Sequence, residues 1–199
     1  MGEKRNVSRI EPGAMALRAL AHPQRMRMLG LLRVDGPATA TSLAARLGLN
    51  SGATSYHLRQ LERHGFIEED AGRGNARERW WKASHESTIT STSGADEDAV
   101  DAAVAFGQAA LQWQATQMQR ALDRHMQLSP QWREASTASD FIIPMTPGQA
   151  KALTERLMAV LWEAKEAAPE LGGEYPEGVE PVTVILHSFP WPGDEEGGA

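Results

Sequence analysis

The chain has 199 residues, 41% of them apolar, no cysteine and a net charge of −6. Without cysteine there are no disulfides, zinc–thiolate sites or thiol redox switches. No apolar run approaches the ~18 residues of a membrane span, and no signal-peptide core follows the N-terminus, so a soluble, cytoplasmic protein with no membrane partner is expected.

The charge is unevenly spread. Residues 1–84 hold fourteen Lys and Arg against eight Asp and Glu, whereas residues 85–199 hold six against eighteen. A basic module of +6 is therefore joined to an acidic one of −12, and the basic half suits a polyanion. The break favours two modules, at 13–84 and 98–190, joined by a linker at 85–97 and followed by a disordered acidic tail at 191–199.

Residues 1–12 are polar and read as a frayed end. Ala14 to Ala21 reads as a short helix that stops at His22, because the residue before a proline avoids the helical region. Pro23 opens a second helix where its missing donor costs nothing, and Met28, Leu29 and Leu32 form its apolar stripe. A short helix follows, ends at Gly48, and the next begins behind Asn50 as a cap. This second helix, Ser51 to His64, runs into Gly65-Phe66-Ile67, where the apolar period becomes that of a strand. Glu78 to Lys82 is again strand-like, with Trp80 and Trp81 on opposite faces, one core and one partly exposed. The order helix, turn, helix, hairpin is that of a winged helix-turn-helix, whose second helix enters the major groove of double-stranded DNA.

With Thr54, Leu58 and Leu61 as the core row, the opposite face of that helix carries Gly52, Tyr56, Arg59 and Arg63, with Gln60 to one side. Arginine bonds guanine bidentately and glutamine does the same with adenine. Ser51 and Gly52 leave room for a close approach, with free amides suited to a phosphate. At the hairpin tip, Arg73 and Arg77 flank Gly74-Asn75, a turn that can lay both arginines on a phosphate ridge or in a minor groove.

Beyond the Ser- and Thr-rich linker, Asp98 to Leu128 is the longest helical candidate. Val100, Val104, Gly107, Leu111, Ala115, Met118 and Leu122 step by four, three, four, four, three and four. That narrow seam suits packing against its symmetry mate. Phe141 to Met145 and Val182 to Phe189 read as strands around a helix that Thr146, Pro147 and Gln149 begin as cap, first-turn proline and capping-box residue. The fold class is mainly α with small β: a winged helix-turn-helix, a long dimerisation helix and a strand–helix–strand module. Trp113, Trp132, Phe141, Trp162 and Phe189 are candidates for lining an apolar ligand pocket.

Leu20-Ala21-His22-Pro23-Gln24-Arg25-Met26-Arg27-Met28-Leu29 resembles the L-x-H-P-x-R-x-x-I-L opening of ArsR-type winged helix-turn-helix regulators. Ser55-Tyr56-His57-Leu58-Arg59-Gln60-Leu61 resembles that family's S-x-H-L-x-x-L helix, and Gly65-Phe66-Ile67 its G-L-I/V step into the wing. The resemblance covers about residues 12–84. It implies a homodimeric bacterial repressor on a near-palindromic operator, released by an effector, with Ser55 and His57 at DNA-proximal positions. The family's metal sites do not carry over: one needs paired cysteines, and Asp98, Asp101 and His125 do not reproduce the spacing of the other. A small apolar organic effector is expected instead, with no metal and no cofactor. Rival readings are a repressor sensing metal through His and carboxylate ligands, and a winged helix used for protein–protein contact. No nucleophile–base pair and no Gly-rich phosphate loop supports an enzyme.

Overall fold

The computed structural model describes residues 4–73, 78–90 and 96–193. Asn75 and Arg77 of the wing tip, part of the 85–97 linker and the tail from residue 194 fall outside the described residues. Strand β1 (Arg9–Ile10) is followed by α1 (Ala14–Leu20) and α2 (Pro23–Val34). Next come β2 (Ala38–Thr39), α3 (Ala40–Leu47), α4 (Ser51–Arg63), β3 (Ile67–Glu69), β4 (Trp80–Ala83) and β5 (Ser87–Thr88). The long α5 (Glu97–Arg124) passes through a 3-10 turn (His125–Gln127) to α6 (Pro130–Glu134) and α7 (Pro147–Ala167).

Local chemistry sets the helix ends. His22 is extended at φ −134° and ψ 125°, and its Nδ1 accepts the Gln24 N–H at 3.2 Å, capping α2. Thr39 and Ser42 form a reciprocal capping box on α3, which ends at Gly48 in the left-handed region (φ +67°). The Asn50 Oδ1 accepts the Ala53 N–H at 2.8 Å to begin α4. Thr146 and Gln149 make the expected capping box on α7.

One apolar core forms from Leu20, Met28, Leu29, Leu32, Leu43, Leu58, Leu61, Phe66, Ile67 and Trp81. The sheet over it has the order β2-β4-β3, antiparallel throughout, with Ala38 opposite Trp81 and Ile67 opposite Ala83. Trp81 is buried and Trp80 half-buried, as strand alternation requires. Helix α5 lays Ala102 and Phe106 against this unit, and its Trp113 ring lies against Gly30, where an added Cβ would stand 3.4 Å away.

Three sequence expectations are corrected. The segment before residue 13 is not frayed over its described part. Val7 is buried, and Arg9–Ile10 pairs in parallel with Ser87–Thr88, inside the stretch read as linker. The first half of that stretch is thus part of the fold. Finally, Phe141–Met145 and Val182–Phe189 are not strands; the strand–helix–strand module reduces to α7 with irregular flanks. A strand exists only when its backbone groups meet an edge, and Pro144 also removes a donor from the first run.

The chain after α7 returns to the first unit through two glycines. Gly36 (φ +84°) and Gly172 (φ +81°) meet so closely that a Cβ on Gly172 would lie 2.6 Å from the Gly36 Cα. Gly172→Ala should therefore cost more than about 2 kcal/mol in urea unfolding, since it meets both left-handed strain and a backbone overlap. Gly48→Ala, with the same type of φ but open space around it, should cost only about 1 kcal/mol. Equal losses would show that the Gly36–Gly172 approach contributes nothing.

Candidate nucleic-acid interface

Helix α4 is oriented by Thr54, Leu58 and Leu61, all completely buried. The Thr54 hydroxyl donates to the Asn50 carbonyl at 3.0 Å, so its one polar group is satisfied within the helix. This places Ser51, Gly52, Tyr56, Arg59 and Arg63 in solvent, with Ser55, His57 and Gln60 half-buried at the flanks. Tyr56 is 53% exposed, a large cost for an aromatic ring unless the surface has a use. Arg59 folds back along its own helix, its Nε donating to the Ser55 carbonyl at 3.2 Å. Neither Arg59 nor Arg63 forms a salt bridge among the described residues.

At the wing, Arg73 is exposed, with its Nε 3.4 Å from the Asp70 carboxylate. A cleft of about 350 Å³ separates the wing from the start of α3, with Thr39, Thr41, Arg59 and Arg79 on its walls. Arg79 and Thr41 were not picked out from the sequence. Arg79 lies one residue before β4, and its sequence position next to the basic turn is the signal that could have found it. Its Nε sits 3.1 Å from Glu69 and its guanidinium 5.4 Å from the Trp81 ring. The cleft thus sets hydroxyls and two guanidinium groups, together with the Glu78 carboxylate, between helix and wing. The Arg59 guanidinium, without a salt bridge among the described residues, is the group there suited to a phosphate oxygen.

His57 points the other way. Its ring packs on that of His22 at 4.7 Å and 47°, joining the cap of α2 to α4, with Tyr56 edge-on at 5.5 Å. The Nδ1 of His57 is buried with no partner among the described residues. Burial lowers both imidazole pKa values below 6.5; Arg25 lowers both further, and His22 adds to the effect on His57. The Arg25 Nε in turn donates to the Ala19 carbonyl.

The five aromatics proposed as a pocket do not converge. Trp113 faces Gly30 and Trp162 stacks under the Arg9 guanidinium at 3.7 Å. Trp132 is half-buried in α6, while Phe141 and Phe189 are 82% and 70% exposed. Only Trp162 reaches the open groove of about 560 Å³ along α7. The sequence spacing placed these rings on elements, but only tertiary packing decides whether rings meet. The dimer seam is uncovered: Val100, Val104, Leu111, Met118 and Leu122 are 38% to 68% exposed. They lie opposite the face that α5 uses against the first unit. No group of three or more His, Asp or Glu able to hold a metal occurs among the described residues, nor is any helix there long and apolar enough to cross a membrane.

This arrangement of three helices and a wing defines a winged helix-turn-helix domain. Residues 20–70 match the family described as helix-turn-helix domain. The HTH-type transcriptional regulator NmtR of Mycobacterium tuberculosis is 43% identical over 61 residues, 30% of this chain and 50% of that protein. The chain thus spans half the length of the curated relative it matches. Among solved structures, reduced HlyU from Vibrio cholerae is 28% identical over 40% of this chain and 73% of its own, with a TM-score of 0.30. The homodimeric winged helix-turn-helix domain of Mb0332 from Mycobacterium bovis, described as a possible ArsR-family regulator, is 22% identical over 56% and 81%, with a TM-score of 0.32. The N-terminal domain of this chain is a winged helix-turn-helix similar in sequence to the helix-turn-helix domains of transcriptional regulators.

A histidine pair held neutral gives a definite pH dependence. Because both folded pKa values are lowered, the unfolded chain binds protons first as pH falls. The pair's contribution is fully present above pH 6.5, the unperturbed value, and is lost as pH falls through the lowered folded values. The melting midpoint should fall between about pH 7.5 and about pH 5.5, before carboxylates titrate. The double variant His22→Asn, which keeps a capping acceptor, with His57→Gln should flatten that slope. A wild-type slope in the double variant would remove the pair from the account.

Proposed function

We propose that the chain is a sequence-specific, double-stranded-DNA-binding transcriptional regulator of the bacterial cytoplasm that acts as a homodimer. The observation that carries this reading is the face of α4. Tyr56, Arg59, Gln60 and Arg63 stand opposite a completely buried row, between α3 and the wing. Ser51 and Gly52 open the start of the helix to a phosphate, Ser55 and His57 flank it, and Arg73 and Arg79 extend the basic surface. The helix-turn-helix family match at residues 20–70 includes α4, and NmtR, a relative over 61 residues, is an HTH-type transcriptional regulator; both support the assignment over protein–protein contact or catalysis.

The uncovered Val100–Leu122 seam supports a twofold dimer, and two α4 helices then read a near-palindromic operator with half-sites about 10 bp apart or a multiple of it. Repression relieved by an apolar organic molecule is the finer part of the proposal. The groove along α7, with Met158, Ala159 and Trp162 on its wall, is the place that would take such a ligand.

The test is selection of bound fragments from random DNA, followed by alanine variants. Arg59→Ala or Arg63→Ala should cost about 1–3 kcal/mol and relax preference at one or two positions. Arg73→Ala should weaken all sequences evenly and reduce the log–log salt slope by about one. Selection of no common sequence, or unchanged binding by both α4 variants, would overturn the reading in favour of a protein partner.

A further inference from the structure

We infer that the segment Val182–Phe189 is a second part of the dimer interface, closed by another copy of this chain across the same twofold axis as the α5 seam. The inference rests on the homodimer reading above and adds a region that the winged helix-turn-helix match does not include.

The first observation is unspent main chain. Between prolines 181 and 190 the sequence is Val-Thr-Val-Ile-Leu-His-Ser-Phe, rich in β-branched residues and free of Asp, Glu, Lys and Arg. The run forms no helix or strand, and none of its backbone groups takes part in a backbone–backbone hydrogen bond among the described residues. Val182, Val184 and Phe189 are exposed. An uncharged, strand-prone run with free amides is a template for pairing.

The second observation is where it lies. His187 Nε2 stands 2.8 Å from the Gln114 Oε1 of α5. On the helix, Gln114 is about 60° from Leu111 and about 40° from Met118, so the segment touches α5 at the edge of the seam. One partner seated on the seam meets both.

The third observation is area. The chain exposes 14308 Å², whereas a compact monomer of 21.7 kDa exposes about 9,200 Å². A stable homodimer removes roughly 1,000–2,500 Å² from each copy, well within that surplus. Among the described residues, only Met15, Val34 and Tyr56 are exposed large apolar side chains before α5, against eighteen from Val100 to Trp191. The surplus therefore lies in α5 and beyond. The chemistry also favours a like partner: the seam positions and the segment are both uncharged, so an isologous contact sets no like charges against each other.

Hydrogen exchange of the full chain, read by mass spectrometry across a dilution series that spans the monomer–dimer transition, tests this. Amides of 182–189 should exchange freely at low concentration and slow by at least about tenfold in the dimer. In Leu111→Glu they should stay fast at every concentration. Val184→Asp, at an exposed position that leaves the monomer fold intact, should raise the dimer dissociation constant about tenfold or more. A wild-type dimer in which 182–189 still exchanges freely would overturn this inference and leave the seam dimer standing. A chain that stays monomeric at all concentrations would overturn both.

Discussion

Seating of Leu58 and Leu61 in the core between α2, Phe66 and Trp81 is the contact on which the rest of the structure depends. Both side chains are completely buried, as is Thr54 one turn earlier. Fixing three points on one face of a helix fixes its rotation, and a surface helix has no other way to hold its outward residues in register. The outward face is consequently set by residues that never meet solvent. An error of one position in this row would turn Arg59 and Arg63 toward the core, which is why the row and the basic face have to be read together.

Helix α2 carries that orientation to the rest of the chain. Its cap, His22, packs on His57 of α4; its middle, Gly30, lies under Trp113 of α5. Near its end, Arg33 is largely buried, donating from Nε to the His85 carbonyl at 2.9 Å and from Nη2 to the Thr88 hydroxyl at 2.9 Å. Burial pulls its pKa down to about 10, against the opposing pull of Glu86, so it remains charged at neutral pH. Beyond it, Lys165 of α7 donates to the Ser87 hydroxyl at 2.7 Å. Burial alone would raise the Glu86 carboxyl, but the hydrogen bond and charge of Arg5, the charge of Lys165 and a bond to Ser8 together outweigh it and hold the carboxyl below its ordinary value. Helix α2 thus touches α4 at its start, α5 at its middle and, through β5, α7 at its end.

How much was legible in the sequence follows from the range of each interaction. The caps at His22, Asn50 and Thr146, the left-handed Gly48, and the Thr54–Leu58–Leu61 row are decided within four or five residues, and each was readable. The two-residue strands β1 and β5 were not, because their pairing joins residue 9 to residue 87 and two residues have no period. Val182–Phe189 has the composition of a strand, but pairing is a property of two segments and composition belongs to one. The same limit applies to the aromatic rings: spacing assigned Trp113 and Trp162 to helices, while the partners that hold them are a glycine and an arginine on distant elements. Arg79 was missed for a different reason, since attention to the tip turn drew the reading away from the strand beside it.

The end of α7 is finished by residues from the opposite end of the chain. The Arg5 backbone N–H donates to the Glu166 carbonyl at 3.0 Å, and its side chain donates to those of Ala168 at 2.8 Å and Lys165 at 3.3 Å. Contacts that span 163 residues cannot form until nearly the whole chain has been made. At ribosomal speeds of about 5–20 residues per second, Arg5 waits roughly 10–30 s for its acceptors. The helix-turn-helix, whose contacts are local, can form during that interval. Order of synthesis and order of assembly are therefore reversed at this edge: Arg5, made before the helix-turn-helix, finds its place after it.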